Sequence, residues 1–261
     1  MIIDSHFHAV SMRDRKADIE LDGVAGIEIG LEPGDFEERI AIVGNRPGIF
    51  MSSGAGPWNL GKDSIDSLIE RQLADIEAFG ADAIGEAGFD NHWHYGSEKE
   101  QMELFLRQAE IASEMDKLLV IHTREADSML LESFRSSSFR CRAVMHCFAS
   151  DIYTMEKALD KGIYISFAGN STYRSNQGIR ECARLVPLDR LLVETDSPYL
   201  SPEGMRGRPN RPQNTEIILD MISTLRSVPK EKLKEAVLAN LKAAVGSEES
   251  VVKRDLSSLS V

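Results

Sequence analysis

Cysteine is scarce in this chain of 261 residues: Cys141, Cys147 and Cys182 are the only three, and none forms a C-x-x-C pair. An odd number without that spacing argues against a disulfide framework and against a thiolate zinc site, and fits a reducing cytoplasm. No apolar run approaches the roughly 20 residues needed to span a bilayer. Met1 opens directly into a strand pattern, without a basic segment followed by an apolar signal core, so the expected location is cytoplasmic and away from membranes. Positive charge is also in deficit, with 30 Lys and Arg against 42 Asp and Glu and a formal net charge of -12. That balance disfavours a broad basic groove for duplex nucleic acid, because such binding draws on Lys and Arg that neutralise phosphates. Phosphate chemistry would need metal ions to supply positive charge locally. Sustained repeats, low-complexity linkers and composition breaks are missing too. The chain therefore reads as one domain over 1–246, followed by a Ser- and charge-rich stretch, 247–261, expected to be a flexible tail.

What is present is a regular alternation. Short apolar runs at 1–5, 24–29, 48–54, 82–87, 118–122, 142–146, 163–168 and 190–195 read as strands. Amphipathic stretches separate several of them. Over 64–79, Ile65, Leu68, Ile69, Leu73, Ile76 and Phe79 share one face and Gly80 follows as a C-terminal cap. Over 97–116, Ser97 and Glu100 form a capping box ahead of Met102, Phe105, Leu106, Ala109 and Ala112. Eight strands interleaved with helices predict a parallel sheet, and eight such units close a (β/α)8 barrel of this length.

The chemistry-bearing residues fall at the carboxyl ends of those strands. His6 and His8 end the first and, two apart, project to the same side about 7 Å from each other. Glu86 ends the fourth strand, His122 the fifth, His146 the sixth, and Asp196 follows the eighth. In a βα barrel these ends converge on one mouth. Imidazole nitrogen with carboxylate oxygen suits zinc, manganese, iron or magnesium, and six ligands exceed what one tetrahedral ion uses while keeping an open position. Two divalent ions fit better: one held by His6, His8 and Asp196, the other by His122 and His146, with Glu86 bridging them.

In this order and spacing, D-S-H-F-H (4–8), G-E-A-G-F-D (85–90), I-H-T-R-E-A (121–126), M-H-C-F (145–148), E-T-D-S-P-Y-L (194–200) and R-G-R-P-N (206–210) resemble the TatD family of metal-dependent hydrolases, within the amidohydrolase superfamily. The resemblance runs from residue 1 to about residue 245. It implies a (β/α)8 barrel with a divalent-metal centre and hydrolysis of phosphodiester bonds, as a deoxyribonuclease or exonuclease. The chain departs from the family pattern in two loops. Ala9 and Val10 follow the H-x-H where the family often has Leu-Asp, and Gly54-Ala-Gly56-Pro57-Trp58 stands where it commonly has Gly-x-His-Pro. Neither change removes a proposed ligand, but both lie where a substrate would enter.

Around this set, Arg124 would either hold a phosphate oxygen or pair with Glu125 or Glu194. Glu194, on the same strand face as Asp196, would support a ligand or form a structural ion pair. His92 and His94 would contribute a leaving-group acid or an extra ligand, or simply face solvent. Asn210 would orient the mouth, and Trp58 would stack on a base or pack beneath its loop. Cys147 reads as a small packed residue. The expected reaction is attack of a metal-bound hydroxide on phosphorus with Asp196 as general base, Glu86 as bridge, and Arg124, His92, His94 and Asn210 on the substrate side. The expected substrate is DNA, as single strands or ends, with no obligate protein partner. Two other readings stand beside it: a metal-dependent ester or amide hydrolase, such as an aminoacyl-tRNA deacylase, and a metal-stabilised binding barrel without activity.

Overall fold

The computed structural model describes residues 1–252 apart from 45 and 248. Its eight strands are β1 (Ile2–Phe7), β2 (Val24–Glu28), β3 (Ile49–Ser53), β4 (Ala83–Asp90), β5 (Leu118–Arg124), β6 (Ala143–Met145), β7 (Tyr164–Phe167) and β8 (Leu191–Val193). Each falls on an expected run, and β4 continues three residues past its expected end. All pair in parallel in chain order. The ring closes where Phe7 bridges Ser197, with His8 N donating to Ser197 O at 2.9 Å and Asp196 N to His6 O at 2.9 Å. The architecture is a (β/α)8 TIM barrel.

The helices are α1 (Ala9–Asp14), α2 (Phe36–Val43), α3 (Ile65–Phe79), α4 (Glu98–Glu114), α5 (Asp127–Ser133), α6 (Ile152–Asp160), α7 (Gln177–Leu185), α8 (Thr215–Arg226) and α9 (Lys230–Val245). The predicted caps are in place. Ser64 accepts from Ser67 N at the start of α3, Gly80 ends it at φ 75°, and Ser97 and Glu100 close a reciprocal capping box on α4. One apolar cluster joins the sheet to α3, α4, α8 and α9 through residues such as Leu68, Phe105, Ile218 and Leu241. A second, containing Phe7, Met12, Phe36 and Met51, seals the side of α1 and α2.

Two strands that deliver site residues are irregular. In β1, Asp4 pairs with Gly26 but Phe7 with Glu28, so one extra residue is inserted between them. In β4, Ile84 pairs with Leu119 and Ala87 with Ile121, which again inserts one residue, at Gly85–Glu86. A bulge re-aims the side chain it carries, and here the bulges carry His6 and Glu86. The second depends on glycine: a Cβ on Gly54 would lie 2.3 Å from the carbonyl carbon of Gly85, so β3 and β4 meet backbone against backbone.

Of the stretch expected as a tail, residues 253–261 lie outside the described residues. Just before them, Ser250 Oγ and Val251 N donate to the Asp82 carboxylate at 2.6 and 2.7 Å, and Val252 joins the second apolar cluster. No helix among the described residues is long and apolar enough to cross a membrane.

Candidate metal centre

The six residues expected to converge do so. His6 and His8 bring their Nε2 atoms to 3.2 Å, and His8 Nε2 lies 3.1 Å from Asp196 Oδ1. On the opposite side His122 Nδ1 and His146 Nε2 are 3.1 Å apart. Glu86 stands between the two sides. Its Oε1 is 2.6 Å from His146 Nε2, 3.3 Å from His122 Nδ1 and 3.8 Å from His6 Nε2, while its Oε2 is 3.7 Å from His8 Nε2. Three overlapping groups, His6–His8–Glu86, Glu86–His122–His146 and His6–His146–Asp196, each place their donor atoms within 4.8 Å of one another. The expected grouping of Asp196 with His6 and His8 therefore has a neighbour in His146 as well.

Three of the imidazoles are oriented from behind. His8 Nδ1 lies 3.1 Å from Ile29 O, and because a carbonyl can only accept, Nδ1 carries the proton and Nε2 presents its lone pair inward. His146 Nδ1 meets Glu194 Oε1 at 3.3 Å, and Cys147 N donates to the same oxygen at 2.7 Å. His122 Nε2 meets Asp90 Oδ2 at 3.4 Å. His6 Nδ1 is buried without a hydrogen-bond partner, and its ring is held by stacking on His146 at 4.0 Å between centroids. Backs tied outward and inner nitrogens gathered around a shared carboxylate form a donor set that, once those nitrogens give up their protons, fits divalent cations.

The electrostatics follow from that crowding. Burial opposes charge on Glu86, but the imidazoles of His146 and His6 outweigh it and hold the carboxyl well below its usual range. Burial likewise opposes protonation of His146, yet Glu86 and Glu194 raise it well above the ordinary imidazole value. His8 is raised against burial by Asp196 and Glu86, and His122 by Asp90 and Glu86. His6 goes the other way, pushed down by burial and by His146. Burial, with Asp196 and Glu194 nearby, raises the Cys147 thiol well above its usual range and keeps it protonated.

The substrate-side candidates spread out. Arg124 is exposed at the end of β5, with its guanidinium 5.6 Å from the centroid of Trp93 and no bond to Glu125 or Glu194. His92 lies outside the cluster and meets Glu125 Oε1 at 2.7 Å, and His94 is exposed. Asn210 is fully buried. Its Nδ2 donates to Thr195 O at 2.9 Å, and its Oδ1 accepts from Asn214 Nδ2 at 2.7 Å and Arg211 N at 3.0 Å. It orders the loop after β8 from beneath rather than lining the mouth. Trp58 sets its ring edge against His122, 5.4 Å between centroids, and donates from Nε1 to Leu31 O at 2.8 Å.

Sequence reasoning passed over Asp90. It supports His122 and accepts from His92 N and Trp93 N through Oδ1, at 2.9 and 3.0 Å. The signal was available, since Asp90 is the last residue of the G-E-A-G-F-D run, four after Glu86.

Four imidazoles and two carboxylates gathered at the mouth of a TIM barrel form a donor set of the kind that metal-dependent hydrolases use. The comparisons narrow this to one family. The model of the family described as TatD related DNase matches residues 3–246, so the chain belongs to the TatD family. Among its relatives, the uncharacterized metal-dependent hydrolase YcfH of Escherichia coli is 38% identical over 200 residues, covering 76% of this chain and 74% of that protein. YabD of Bacillus subtilis, described in the same words, is 29% identical over 259 residues, covering 93% and 98%. The crystal structure of YjjV, a TatD homologue from Escherichia coli, superposes with a TM-score of 0.79 at 25% identity over 93% of this chain and 97% of that one. A TatD-family hydrolase from Entamoeba histolytica shares the fold with a TM-score of 0.75 at 18% identity, over 93% and 97%.

Proposed function

We propose that this TatD-family hydrolase cleaves phosphodiester bonds of DNA, taking single strands or ends, and that two divalent ions bind at the mouth. His6, His8 and Asp196 would hold one ion and His122 and His146 the other, with Glu86 placed to serve both. The observation that carries the reading is the central place of Glu86, whose two oxygens face imidazoles from both sides of the barrel. The family description adds DNA as the substrate class.

When bound, divalent ions at such a cluster neutralise charge on phosphoryl oxygens and lower the pKa of water toward neutrality. The chain's own residues do the rest. Asp196 is the most open carboxylate of the cluster, with its side chain 13% exposed against 3% for Glu86. It is therefore the base that substrate-side water can reach, and it accepts the proton of the attacking water. Glu194 and Asp90 keep the His146 and His122 rings turned inward. Arg124, steadied on the Trp93 face, offers its free guanidinium to a phosphate oxygen at the rim. In a chain this acidic, such local positive groups stand in for a basic groove, which favours strands thin enough to enter the mouth. A protein of this composition is expected to work in the cytoplasm.

A substrate screen tests the reading. The purified protein, supplied with Mn, Mg or Zn, is assayed on labelled single-stranded and duplex DNA, bis(p-nitrophenyl) phosphate, a phosphomonoester, a carboxyl ester and an amide. Metal-dependent cleavage of single-stranded DNA, abolished by chelation, is the expected result. Turnover confined to the carboxyl ester or the amide would replace the phosphodiester reading.

A further inference from the structure

Beside the cluster, on the side where the barrel closes, lies a cavity of about 440 Å³ lined by Arg15, Tyr173, Tyr199, Arg206 and Arg208. Tyr173 follows β7, and Tyr199, Arg206 and Arg208 belong to the long connection after β8, so both segments leave carboxyl ends of strands; Arg15 is the C-terminal cap of the short helix α1, which begins directly after His8. The cavity therefore opens on the same face of the barrel as the imidazoles. Tyr199 joins the two, with its ring 6.0 Å from that of His8 between centroids and its N–H donating to Asp196 O at 2.8 Å.

The two tyrosines act as plinths. Tyr173 is fixed by its hydroxyl donating to Ser201 O at 2.9 Å, and Tyr199 by a hydroxyl contact with Ser11 Oγ at 3.3 Å. A guanidinium lies over each ring, Arg15 at 4.5 Å from the centroid of Tyr199 and Arg206 at 4.7 Å from that of Tyr173. Stacking of this kind holds the planar fork while leaving its N–H donors available at the edge. Neighbouring arginines are engaged otherwise: Arg13 is paired with Asp14 and Glu38, and Arg211 with Asp18. Arg15, Arg206 and Arg208 form no ion pair among the described residues. In a chain with a net charge of -12, three uncommitted guanidiniums around one cavity next to a hydrolytic cluster call for an anionic occupant.

We infer that this cavity is a phosphate subsite for the nucleotide adjoining the cleaved bond, with Arg15 and Arg206 as its forks and Arg208 as a further positive charge. The inference rests on the phosphodiester reading above and deepens it. A strand whose scissile phosphate sits at the imidazoles passes over Tyr199 and lays its neighbouring phosphate on the arginines. Trp93, in the loop after β4, and Arg124, at the end of β5, stand opposite the β8–β1 closure in strand order, so a strand crossing the mouth meets positive charge on both sides. A single-phosphate substrate engages the cluster alone; an oligonucleotide engages both places.

The test separates binding from hydrolysis. Fluorescein-labelled oligothymidylate of eight nucleotides is titrated with chelator-treated protein, and anisotropy is followed at several salt concentrations. The triple variant Arg15→Gln, Arg206→Gln, Arg208→Gln changes exposed side chains, and its thermal midpoint is compared with that of the parent to confirm folding. The expected result is binding weakened by about tenfold or more, with a salt dependence shallower by about 0.7 in slope, because a single strand releases about 0.7 counterion for the one phosphate neutralised there. Equal affinity and equal salt slope for parent and variant, or no binding by the parent, would overturn the subsite. The phosphodiester reading has its own outcome, since the parent either cleaves or fails to cleave bis(p-nitrophenyl) phosphate and DNA in the screen above.

Discussion

Glu86 Oε1 lies 2.6 Å from His146 Nε2, and without a metal this contact is held by a proton. The carboxyl is pushed well below its usual range and the imidazole well above its own, by each other and by Glu194 behind the ring. A divalent ion needs that same nitrogen lone pair, so it must displace the proton. Apparent metal affinity should therefore be weak at low pH, rise as pH climbs through the raised His146 value, and level off above it. Titration calorimetry near neutral pH, in two buffers of different ionisation enthalpy, should report protons released on binding. A heat independent of the buffer would contradict this.

The same shifts fix the behaviour of the metal-free protein. His146, raised in the folded state, contributes stability that is fully present below the unfolded imidazole value of 6.5 and is lost as pH rises through the folded value. Glu86, depressed, contributes stability that is present above the unfolded carboxyl value of 4.5 and is lost as pH falls through the folded one. His6, depressed by burial and by His146, adds stability that is present above 6.5 and lost as pH falls, so thermal midpoints of chelated protein should be highest near the unfolded imidazole value and decline on both sides of it. Added metal should recover the loss on the alkaline side, where the imidazoles are free to ligate.

The central place of Glu86 makes a separable prediction about stoichiometry. Glu86→Ala should weaken retention of both ions, because its Oε1 faces His122 and His146 while its Oε2 faces His8. His122→Ala should weaken mainly one. Elemental analysis after dialysis against a metal buffer measures both. If the Glu86→Ala protein kept the metal content of the parent, the shared-carboxylate assignment would be wrong.

Support from behind the ligands should be measurable in the same way. Glu194→Gln keeps the shape but removes the charge that holds His146 Nδ1–H, and Asp90→Asn does the same behind His122. Losses of this kind run to about 10- to 100-fold in metal affinity. The paired readout is the pH profile of metal binding. In Glu194→Gln the midpoint should move down, because the charge raising His146 is gone; a purely structural role would leave it in place.

How much of this was legible beforehand divides along physical lines. The strands were readable because each is a short apolar run, five of them ended by a chemistry-bearing residue, and Ser97 with Glu100 announced α4. The convergence of His6, His8, Glu86, His122, His146 and Asp196 followed from topology, since every one sits at a carboxyl end. The bulges at Asp4–Phe7 and Ile84–Ala87 were not legible, because an extra residue in a parallel ladder depends on which residue of the neighbouring strand it faces. Loop geometry was equally hidden. Asn210 turned out to be a buried strut, and Trp58 set its ring edge against His122. The backing role of Asp90 needed only one step more from the motif, asking which carboxylate follows Glu86 on its own strand.

At the carboxyl end of β2, Arg39 and Glu28 form an ion pair in which both side chains are 1% exposed, at 2.6 Å. Arg39 also reaches Ser52 O at 2.8 Å and Asp35 at 3.1 Å, and Glu28 Oε1 accepts from Ala9 N, the residue after His8. Arg39→Ala should cost about 3–5 kcal/mol, the range for leaving one partner of a buried pair uncompensated. Urea denaturation of the metal-free protein checks this. The double substitution Arg39→Met, Glu28→Leu should recover part of the loss, since it leaves no buried charge unpaired.

The most direct prediction concerns Asp196, proposed to hold one ion and to accept the proton of the attacking water. Its Oδ1 lies 3.1 Å from His8 Nε2 and 3.7 Å from His6 Nε2, and it is the carboxylate of the cluster that solvent reaches. Asp196→Asn preserves the shape and a ligating carbonyl oxygen but removes the charge and most of the basicity. Activity should fall much further than metal occupancy does. A positioned general base contributes roughly 10²- to 10⁴-fold in rate, so a loss of at least about that size is required under saturating metal. The comparison is made on bis(p-nitrophenyl) phosphate as well as DNA, so that a substrate-binding defect does not imitate a chemical one. Near-parental turnover with both ions retained would show that another group takes the proton. His92 is the next to examine, because its Nδ1 lies 2.7 Å from the exposed Glu125 carboxylate, which could pass that proton to solvent.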